Sequence, residues 1–489
     1  MPPFTPFSTL LLPILYQSFQ RSHPRIFQHN PLPITTACQE LILNRFKQKK
    51  DLLTCAGTGT GKSLALVLGL VDEHLRARAV GGKKAPCSLL LVPYYSLASQ
   101  LYGWMSEIVQ QVEGLSECKI PIQLLGEQRV VGNNAGKALP GLCVATPTGL
   151  LAGLPDDKLQ RYARELDTVV LDEVDALLRL PGRYALPNLD LYGNVRPGGN
   201  SRAGRQWAKH PPPGYLVLSS LLQANTSEGS EGRRKQVIAT SATVNSVLRS
   251  LLMHRTGWMD KEAFVNLDRV ENVPKGLMGQ VEHTAIVVGE GRVRNVMSRS
   301  ELAKVGDQKR SALQPRGHGD FEEELASALA TSIGFEREEY GSSMGDILVC
   351  AHPRMSLSLL GSRLAGEHGL DTESLKEDQS GQQHGAKVSG LLGRIYLATE
   401  AQARGLDLPS LSHVYILSTP SAQCPSNDVA YEHMSGRLCR LGSISQLSGG
   451  RVIQLIAASP TPSAPSGDLR LHQLWNRLDL HPVAYKHVQ

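Results

Sequence analysis

A chain of 489 residues is long enough for two or three separate hydrophobic cores. Its 41% apolar and 20% charged residues are the balance of a folded globular protein, and no apolar run reaches the roughly 18 residues of a membrane span. The formal net charge of +6 permits a polyanionic partner without requiring one, and eight scattered cysteines with no CxxC pair read as reduced core thiols, neither metal ligands nor disulfides.

The chain opens without acids: Glu40 is its first Asp or Glu. The apolar piece Thr9 to Tyr16 precedes Arg21 and Arg25, the reverse of the order in a secretory signal. Two readings of residues 1–35 stay open. An acid-poor stretch bearing Arg and Ser suits a mitochondrial transit segment, whereas its prolines suit a disordered tail, which leaves a nuclear or cytoplasmic protein.

Thr36-Ala37-Cys38-Gln39 opens a helical pattern carried by Leu41, Ile42 and Phe46. An apolar strand over Asp51 to Cys55 follows, then Ala56-Gly57-Thr58-Gly59-Thr60-Gly61-Lys62-Ser63, then the helical run Leu64 to Leu70. Strand, glycine loop and helix are the context that makes GxxxxGK[ST] a phosphate-binding loop. Its backbone N–H groups converge on phosphate oxygens and the helix N-terminus adds its positive dipole end. Lys62 is placed to reach the β- and γ-phosphates, and the Ser63 hydroxyl to ligate Mg²⁺.

Further buried strands are expected over Ser88 to Pro93, Gly141 to Pro147, Thr168 to Leu171 and Gln236 to Thr240, with a helix over Ser99 to Val109. A second series runs through Glu282 to Val288, Asp346 to Cys350, Arg394 to Thr399, Val414 to Leu417 and Arg451 to Ile456. Continuous apolar strands alternating with helices give an α/β protein with mostly parallel sheets covered on both faces, which bind ligands at the carboxyl ends of strands. Two stretches break the alternation, Gly182 to Gly214 and Gly289 to His318. Both are expected to be surface insertions, the second with seven Arg or Lys against three acids.

Chemistry gathers where these strands end. Asp172-Glu173-Val174-Asp175 follows the fourth strand: Asp172 is placed to hold Mg²⁺ and Glu173 to position or deprotonate an attacking water. In the last third, Arg437 and Arg440 lie three apart on one helical face, able to stabilise charge developing on a γ-phosphate.

From about Gln39 to Gly442 these motifs resemble, in order, those of the DEAD-box family of superfamily 2 RNA helicases. Gln39 stands 23 residues before Lys62, where the family reads adenine. Asp172 to Asp175 resembles motif II in a DEVD form, and Ser241-Ala242-Thr243 motif III. Ala398 to Asp407 resembles motif V, in which Asp407 takes the ribose-contacting position. Tyr431 to Arg440 resembles motif VI, with Arg437 and Arg440 as arginine fingers. The resemblance implies two tandem RecA-like domains, residues 36–272 and 281–489, joined by a linker at 273–280. It implies ATP and Mg²⁺ as ligands, and single-stranded RNA or a short duplex read through its backbone. It implies RNA contact or interdomain coupling by Thr146, Pro147, Ser241, Thr243, Thr399, Arg404, Gly405 and His433. The activity implied is RNA-stimulated hydrolysis of ATP to ADP and phosphate, remodelling RNA or ribonucleoprotein. Mitochondrial RNA metabolism or ribosome assembly is the expected setting.

Four departures thin the RNA-facing side chains. Pro93-Tyr94-Tyr95-Ser96-Leu97-Ala98 stands where the family has PTRELA, so Tyr95 replaces an arginine. Thr146-Pro147-Thr148-Gly149 replaces TPGR, Met434 replaces an arginine of motif VI, and no QxxR element occurs between Leu375 and Leu391. A non-unwinding RNA clamp or assembly scaffold is therefore the rival expectation, and a DNA helicase a more distant one.

Overall fold

The computed structural model describes residues 36–79, 86–113, 120–126, 130–131, 141–180, 188–189, 195–196, 206–207, 209–226, 234–267, 281–289, 292–297, 318–375, 393–403, 408, 410–419, 428–438, 450–458, 467–478 and 480–488. The chain divides into two compact units, the first ending at Pro274 and the second beginning at Lys275.

In the first unit α1 (Ala37–Gln48) leads to β1 (Leu52–Cys55), α2 (Lys62–Ala79), β2 (Ser88–Leu91), α3 (Tyr95–Glu113), β3 (Ile122–Leu125) and β4 (Val130–Val131). There follow β5 (Leu142–Ala145), α4 (Pro147–Gly153), α5 (Asp156–Glu165), β6 (Thr168–Leu171), α6 (Val174–Leu178), α7 (Pro213–Thr226), β7 (Gln236–Ser241), α8 (Ser246–Ser250) and β8 (Phe264–Asn266). The strand order is β8-β1-β7-β6-β2-β5-β3-β4, parallel throughout except for the β3–β4 pair. Leu89 and Leu91 of β2 face one apolar cluster and Leu90 the other. A sheet buried on both faces has no polar positions to alternate with, which is why its strands read as unbroken apolar runs.

The second unit contains β9 (Glu282–Gly289), β10 (Arg292–Asn295), α9 (His318–Tyr340), β11 (Asp346–Ala351), α10 (Leu357–His368) and β12 (Thr372–Ser374). It continues with β13 (Ile395–Thr399), α11 (Glu400–Ala403), β14 (Leu411–Ser418), α12 (Asp428–Ser435), β15 (Arg451–Ala457) and α13 (Gly467–Leu478). Its order is β10-β9-β15-β14-β11-β13-β12, with only the edge strand β10 antiparallel. Ile347, Val349 and Ala351 of β11 belong to one core, Leu348 and Cys350 to the other.

The architecture is the expected pair of mostly parallel, helix-flanked sheets. Among the described cysteines, Cys38, Cys55, Cys87, Cys143 and Cys350 are buried thiols in no disulfide. No described helix is long and apolar enough to cross a membrane.

The start of the surface insertion expected over Gly289 to His318 needs correction. It begins inside the second sheet: Val293 pairs with Val288, and Arg292 with Gly289. Arg294 makes a two-pronged ion pair with buried Asp468 of α13, with Nη1 and Nη2 each 2.8 Å from a carboxylate oxygen. Asn295 exchanges hydrogen bonds with the backbone of Tyr485. Val293 is the one apolar residue of the four, and the side-chain partners of Arg294 and Asn295 lie 174 and 190 positions away, so no apolar run marks them as a strand. Residues 298–317 lie outside the described residues. Within Gly182 to Gly214 the chain forms a short ribbon, Asn188–Leu189 against Val195–Arg196, and starts α7 at Pro213.

Each sheet is tied at the amino ends of its strands by a buried charge. Asp51 accepts hydrogen bonds from Arg234 Nη2 at 2.8 Å and from the N–H groups of Val237 and Asp260 at 2.8 and 2.9 Å. In the second unit, fully buried Glu336 accepts two bonds from Arg451 Nη1 at 2.9 Å and lies 3.1 Å from His413 Nε2. Arg451 also reaches Glu282 at 2.9 Å. Burial alone would raise the Glu336 carboxyl; the His413 hydrogen bond and the Arg451 charge outweigh it and leave the group below its ordinary range. Its contribution to stability is thus complete above the usual glutamate value of about 4.3 and is lost as the pH falls through the lower folded value.

Glu336→Ala is expected to lower the unfolding free energy by about 3–5 kcal/mol, because it strands a buried guanidinium. Lys486→Ala, which breaks a half-exposed pair with Glu339, is expected to change it by less than about 1 kcal/mol. Denaturant titration of both variants at pH 7 checks the difference; equal small effects would show that the buried network is not a stabilising tie.

Candidate active site

The site is built on strand ends of the first unit. After β1 the loop turns on Gly59 and Gly61, whose φ angles of 79° and 80° favour glycine, and releases the chain into α2 at Lys62. Gly61 is also fixed by proximity: a Cβ there would lie 2.3 Å from Gln39 Nε2. Lys62 is buried, its Nζ donating to the carbonyls of Ala56 at 2.6 Å and Gly57 at 2.8 Å. Thr60 Oγ1 donates to the Gly57 carbonyl at 2.9 Å, completing a loop that holds its own lysine at the helix N-terminus.

Gln39 meets this loop because Thr36 welds α1 to it. The Thr36 hydroxyl accepts from Gln39 N at 3.1 Å and donates to the Thr60 carbonyl at 2.7 Å; the Thr36 N–H donates to Gln39 Oε1 at 3.1 Å. This capping box starts α1 and sets Gln39 against Gly61. A threonine three residues before a glutamine is its sequence signature, yet the part played by Thr36 was not foreseen.

Asp172 is the hub. It is fully buried, its Oδ2 accepts from Ser63 Oγ at 2.5 Å, and its Oδ1 accepts from Thr240 Oγ1 at 2.7 Å and from Glu173 N at 3.0 Å. Burial raises its carboxyl first and the neighbouring Glu173 charge adds to this; the Ser63 and Thr240 hydrogen bonds and Lys62 oppose the rise without cancelling it. Glu173 adopts φ 52° and ψ 51°, a left-handed conformation that costs a non-glycine residue about 1–3 kcal/mol and is imposed by its surroundings. Asp175 binds the other motif: Ser241 Oγ donates to its Oδ1 at 2.7 Å and Thr243 Oγ1 to its Oδ2 at 2.8 Å. The hydroxyls expected to face RNA or couple the domains thus bond within the first unit. Thr240, which immediately precedes the Ser-Ala-Thr motif, is a contributor that the motifs alone do not mark, and the two hydroxyl partners of Asp175 emerge only in the fold.

Along the same sheet edge Thr146 caps α4, its Oγ1 accepting from Gly149 N at 3.0 Å, with Pro147 in the first turn. The Tyr95 ring covers Gly126, where an added Cβ would sit 2.1 Å from it. In the second unit Thr399 caps α11, bonding Gln402 through its N–H at 2.8 Å and its hydroxyl at 3.0 Å. His433 lies in the last turn of α12, and Arg437 Nε donates to the His433 carbonyl at 3.0 Å. Met434 is fully buried in the core of that unit. Arg404, Gly405, Asp407, Arg440 and the Leu375 to Leu391 interval, apart from Leu375 itself, lie outside the described residues.

Comparison with known proteins bears on this arrangement. The DEAD/DEAH box helicase profile matches residues 36–188 and the helicase conserved C-terminal domain profile residues 343–442. The chain is 25% identical over 428 residues to the ATP-dependent RNA helicase MAK5 of Saccharomyces cerevisiae, covering 83% of this chain and 49% of that protein. It is 26% identical over 168 residues to the ATP-dependent rRNA helicase spb-4 of Neurospora crassa, covering 30% and 25% of the two chains. The chain spans about half the length of MAK5 and less of spb-4. The fold is similar to that of the DEAD-box helicase Mss116 bound to single-stranded RNA and UDP-BeF, with a TM-score of 0.61 at 17% identity, covering 99% of this chain and 81% of that one.

Thr240→Val keeps the side-chain shape and removes one donor to buried Asp172. It is expected to destabilise the first unit by about 1.5–3 kcal/mol, the range for hydrogen bonds to charged groups. Denaturant titration measures this, and unchanged stability would remove Thr240 from the hub.

Proposed function

This chain belongs to the DEAD-box family of ATP-dependent RNA helicases, and from that premise we propose that it hydrolyses ATP to ADP and phosphate in response to RNA and uses the cycle to remodel RNA or ribonucleoprotein. The observation that carries the reading is the Ser63–Asp172–Thr240 hub beside Lys62, joined to Asp175 and its two hydroxyl donors. Phosphoryl transfer needs charge placed on phosphate oxygens and a base beside the attacking water. The loop N–H groups and Lys62 supply the first, and Glu173, held in its left-handed conformation next to Asp172, the second. Binding of the triphosphate would exchange the Ala56 and Gly57 carbonyls for phosphate oxygens at Lys62 Nζ.

The Ser63 hydroxyl and the Asp172 carboxylate form a hard-oxygen donor pair, the chemistry that Mg²⁺ takes. When bound there Mg²⁺ would neutralise phosphate charge. Gln39 beside the loop is the adenine reader, and Asp407 the ribose contact. Arg437 and Arg440 act on the γ-phosphate in the transition state, so their loss should affect turnover more than affinity.

RNA is the partner, gripped through its backbone, with Thr146, Pro147, Thr399, Arg404, Gly405 and His433 on the contact or coupling path. The relative named as an rRNA helicase favours ribosome assembly intermediates as the setting. A second reading, an RNA clamp that turns over ATP without unwinding, is favoured by Met434: where the family carries an arginine, this chain buries an apolar side chain. A mitochondrial address rests on residues 1–35, outside the described residues; fusion of that segment to a fluorescent protein tests it, and nuclear or cytoplasmic signal would remove it.

ATPase assays with and without single-stranded RNA test the proposal. RNA is expected to raise turnover. Lys62→Ala and Glu173→Gln should both abolish it, with Glu173→Gln retaining nucleotide. Arg437→Ala should lower kcat by about 10³-fold, the low end for arginine fingers. Normal turnover in Glu173→Gln would overturn the role given to the acidic motif. RNA-stimulated turnover without strand separation of a short duplex would select the clamp.

A further inference from the structure

α12 of the second unit runs into the turn that carries Arg437. Ala430, Tyr431, Met434 and Leu438 are buried in the apolar cluster that also holds Val452, Leu471 and Trp475. Arg437 lies in the turn that follows α12, and its Nε donates to the His433 carbonyl at 3.0 Å. On the inner face Tyr431 makes a directional contact. The Tyr431 hydroxyl lies 2.7 Å from Nδ1 of His283, with the two rings 5.7 Å apart. Both residues are buried, and burial pushes the Tyr431 hydroxyl well above its ordinary range, so it keeps its proton at any physiological pH.

His283 is a rigid anchor. It sits in β9, in register with Val452 of β15, and its carbonyl accepts the Val483 N–H at 2.9 Å. The packing of the Met434 and Leu438 side chains into the apolar cluster is non-directional, so it resists separation of helix and sheet far more than rotation of the helix about its axis. A 2.7 Å hydrogen bond has a preferred length and angle, and it resists rotation. Ser435 Oγ, donating to the Tyr431 carbonyl at 2.7 Å, carries the constraint into the turn from which Arg437 departs.

We infer that Tyr431 is a positioning residue for turnover: its bond to His283 sets the rotation of α12 and thereby the direction in which Arg437 is presented. The inference rests on the proposed role of Arg437 in ATP hydrolysis.

The test uses the full chain, with RNA-stimulated ATPase, the melting midpoint and hydrogen–deuterium exchange measured on each variant. Tyr431→Phe is expected to lower kcat about tenfold at a temperature where it remains folded, since small misplacements of a reacting group cost up to about 10²-fold. KM for ATP should stay within about twofold, because the first unit holds the nucleotide phosphates. His283→Leu should match Tyr431→Phe, and the double variant should be no slower than either single, as both remove the same bond. His283→Gln, which keeps a side-chain amide facing the hydroxyl, should restore kcat to within about threefold of wild type. In an Arg437→Lys background Tyr431→Phe should add no further loss. Faster exchange over residues 430–438 in Tyr431→Phe provides a readout that needs no turnover.

A lower melting midpoint with unchanged kcat and unchanged exchange would overturn the inference and leave Tyr431 a packing residue. Additive losses in the Tyr431→Phe/His283→Leu double variant would also overturn it. A wild-type chain without ATPase would instead overturn the proposed function, and the exchange result would then still decide whether the bond orders the arginine turn.

Discussion

One buried carboxylate sets the geometry of the first unit. Asp172 takes a hydroxyl from the head of α2, a hydroxyl from the end of β7 and the N–H of the residue that follows it. Three segments far apart in sequence are thereby held at a common point, at the carboxyl ends of adjacent strands where parallel sheets collect ligands. Burying a carboxylate is unfavourable unless it is hydrogen-bonded, and here the donors do not fully offset the burial. That residual cost is what a divalent cation would relieve. The left-handed Glu173 belongs to the same economy of strain: a conformation that a loop of free choice would avoid is kept because both of its neighbours along the chain are committed.

Stability and chemistry occupy opposite ends of the sheets. Asp51 in the first unit, and Glu336 with Arg451 and His413 in the second, tie the amino ends of strands or the backbone beside them. The phosphate loop, the acidic motif, the Ser-Ala-Thr motif and Thr399 lie at carboxyl ends. The strained and partly compensated groups can therefore be supported by networks that do not touch the reacting atoms.

How much of this is legible in the sequence depends on the range over which the signal acts. The central strands are legible because two covered faces demand unbroken apolar runs, and the phosphate loop because its glycines, lysine and helix start are consecutive. The edge strands are not. Thr372-Glu373-Ser374 has no apolar run, and Arg292-Val293-Arg294-Asn295 is made a strand by pairing with β9 and by Asp468, far along the chain. In the site, the identities of Ser63, Asp172 and Asp175 could be read, but which hydroxyl serves which carboxylate could not. Ser241 and Thr243 are nearest neighbours of Asp175 only after β6 and β7 pair. Tyr95, conspicuous in sequence as a missing arginine, is explained in space by the ring it lays over Gly126.

A shared carboxylate makes a sharp demand on nucleotide binding. Ser63 and Asp172 are 2.5 Å apart and offer only oxygen, so cation and triphosphate should bind together or weakly. Titration of a non-hydrolysable ATP analogue into wild type and Asp172→Asn, each with and without Mg²⁺, measures the linkage directly. Tightening by Mg²⁺ in wild type that is largely lost in Asp172→Asn is the expected result. An equal Mg²⁺ dependence in the two proteins would contradict the placement of Asp172 at the centre of the site.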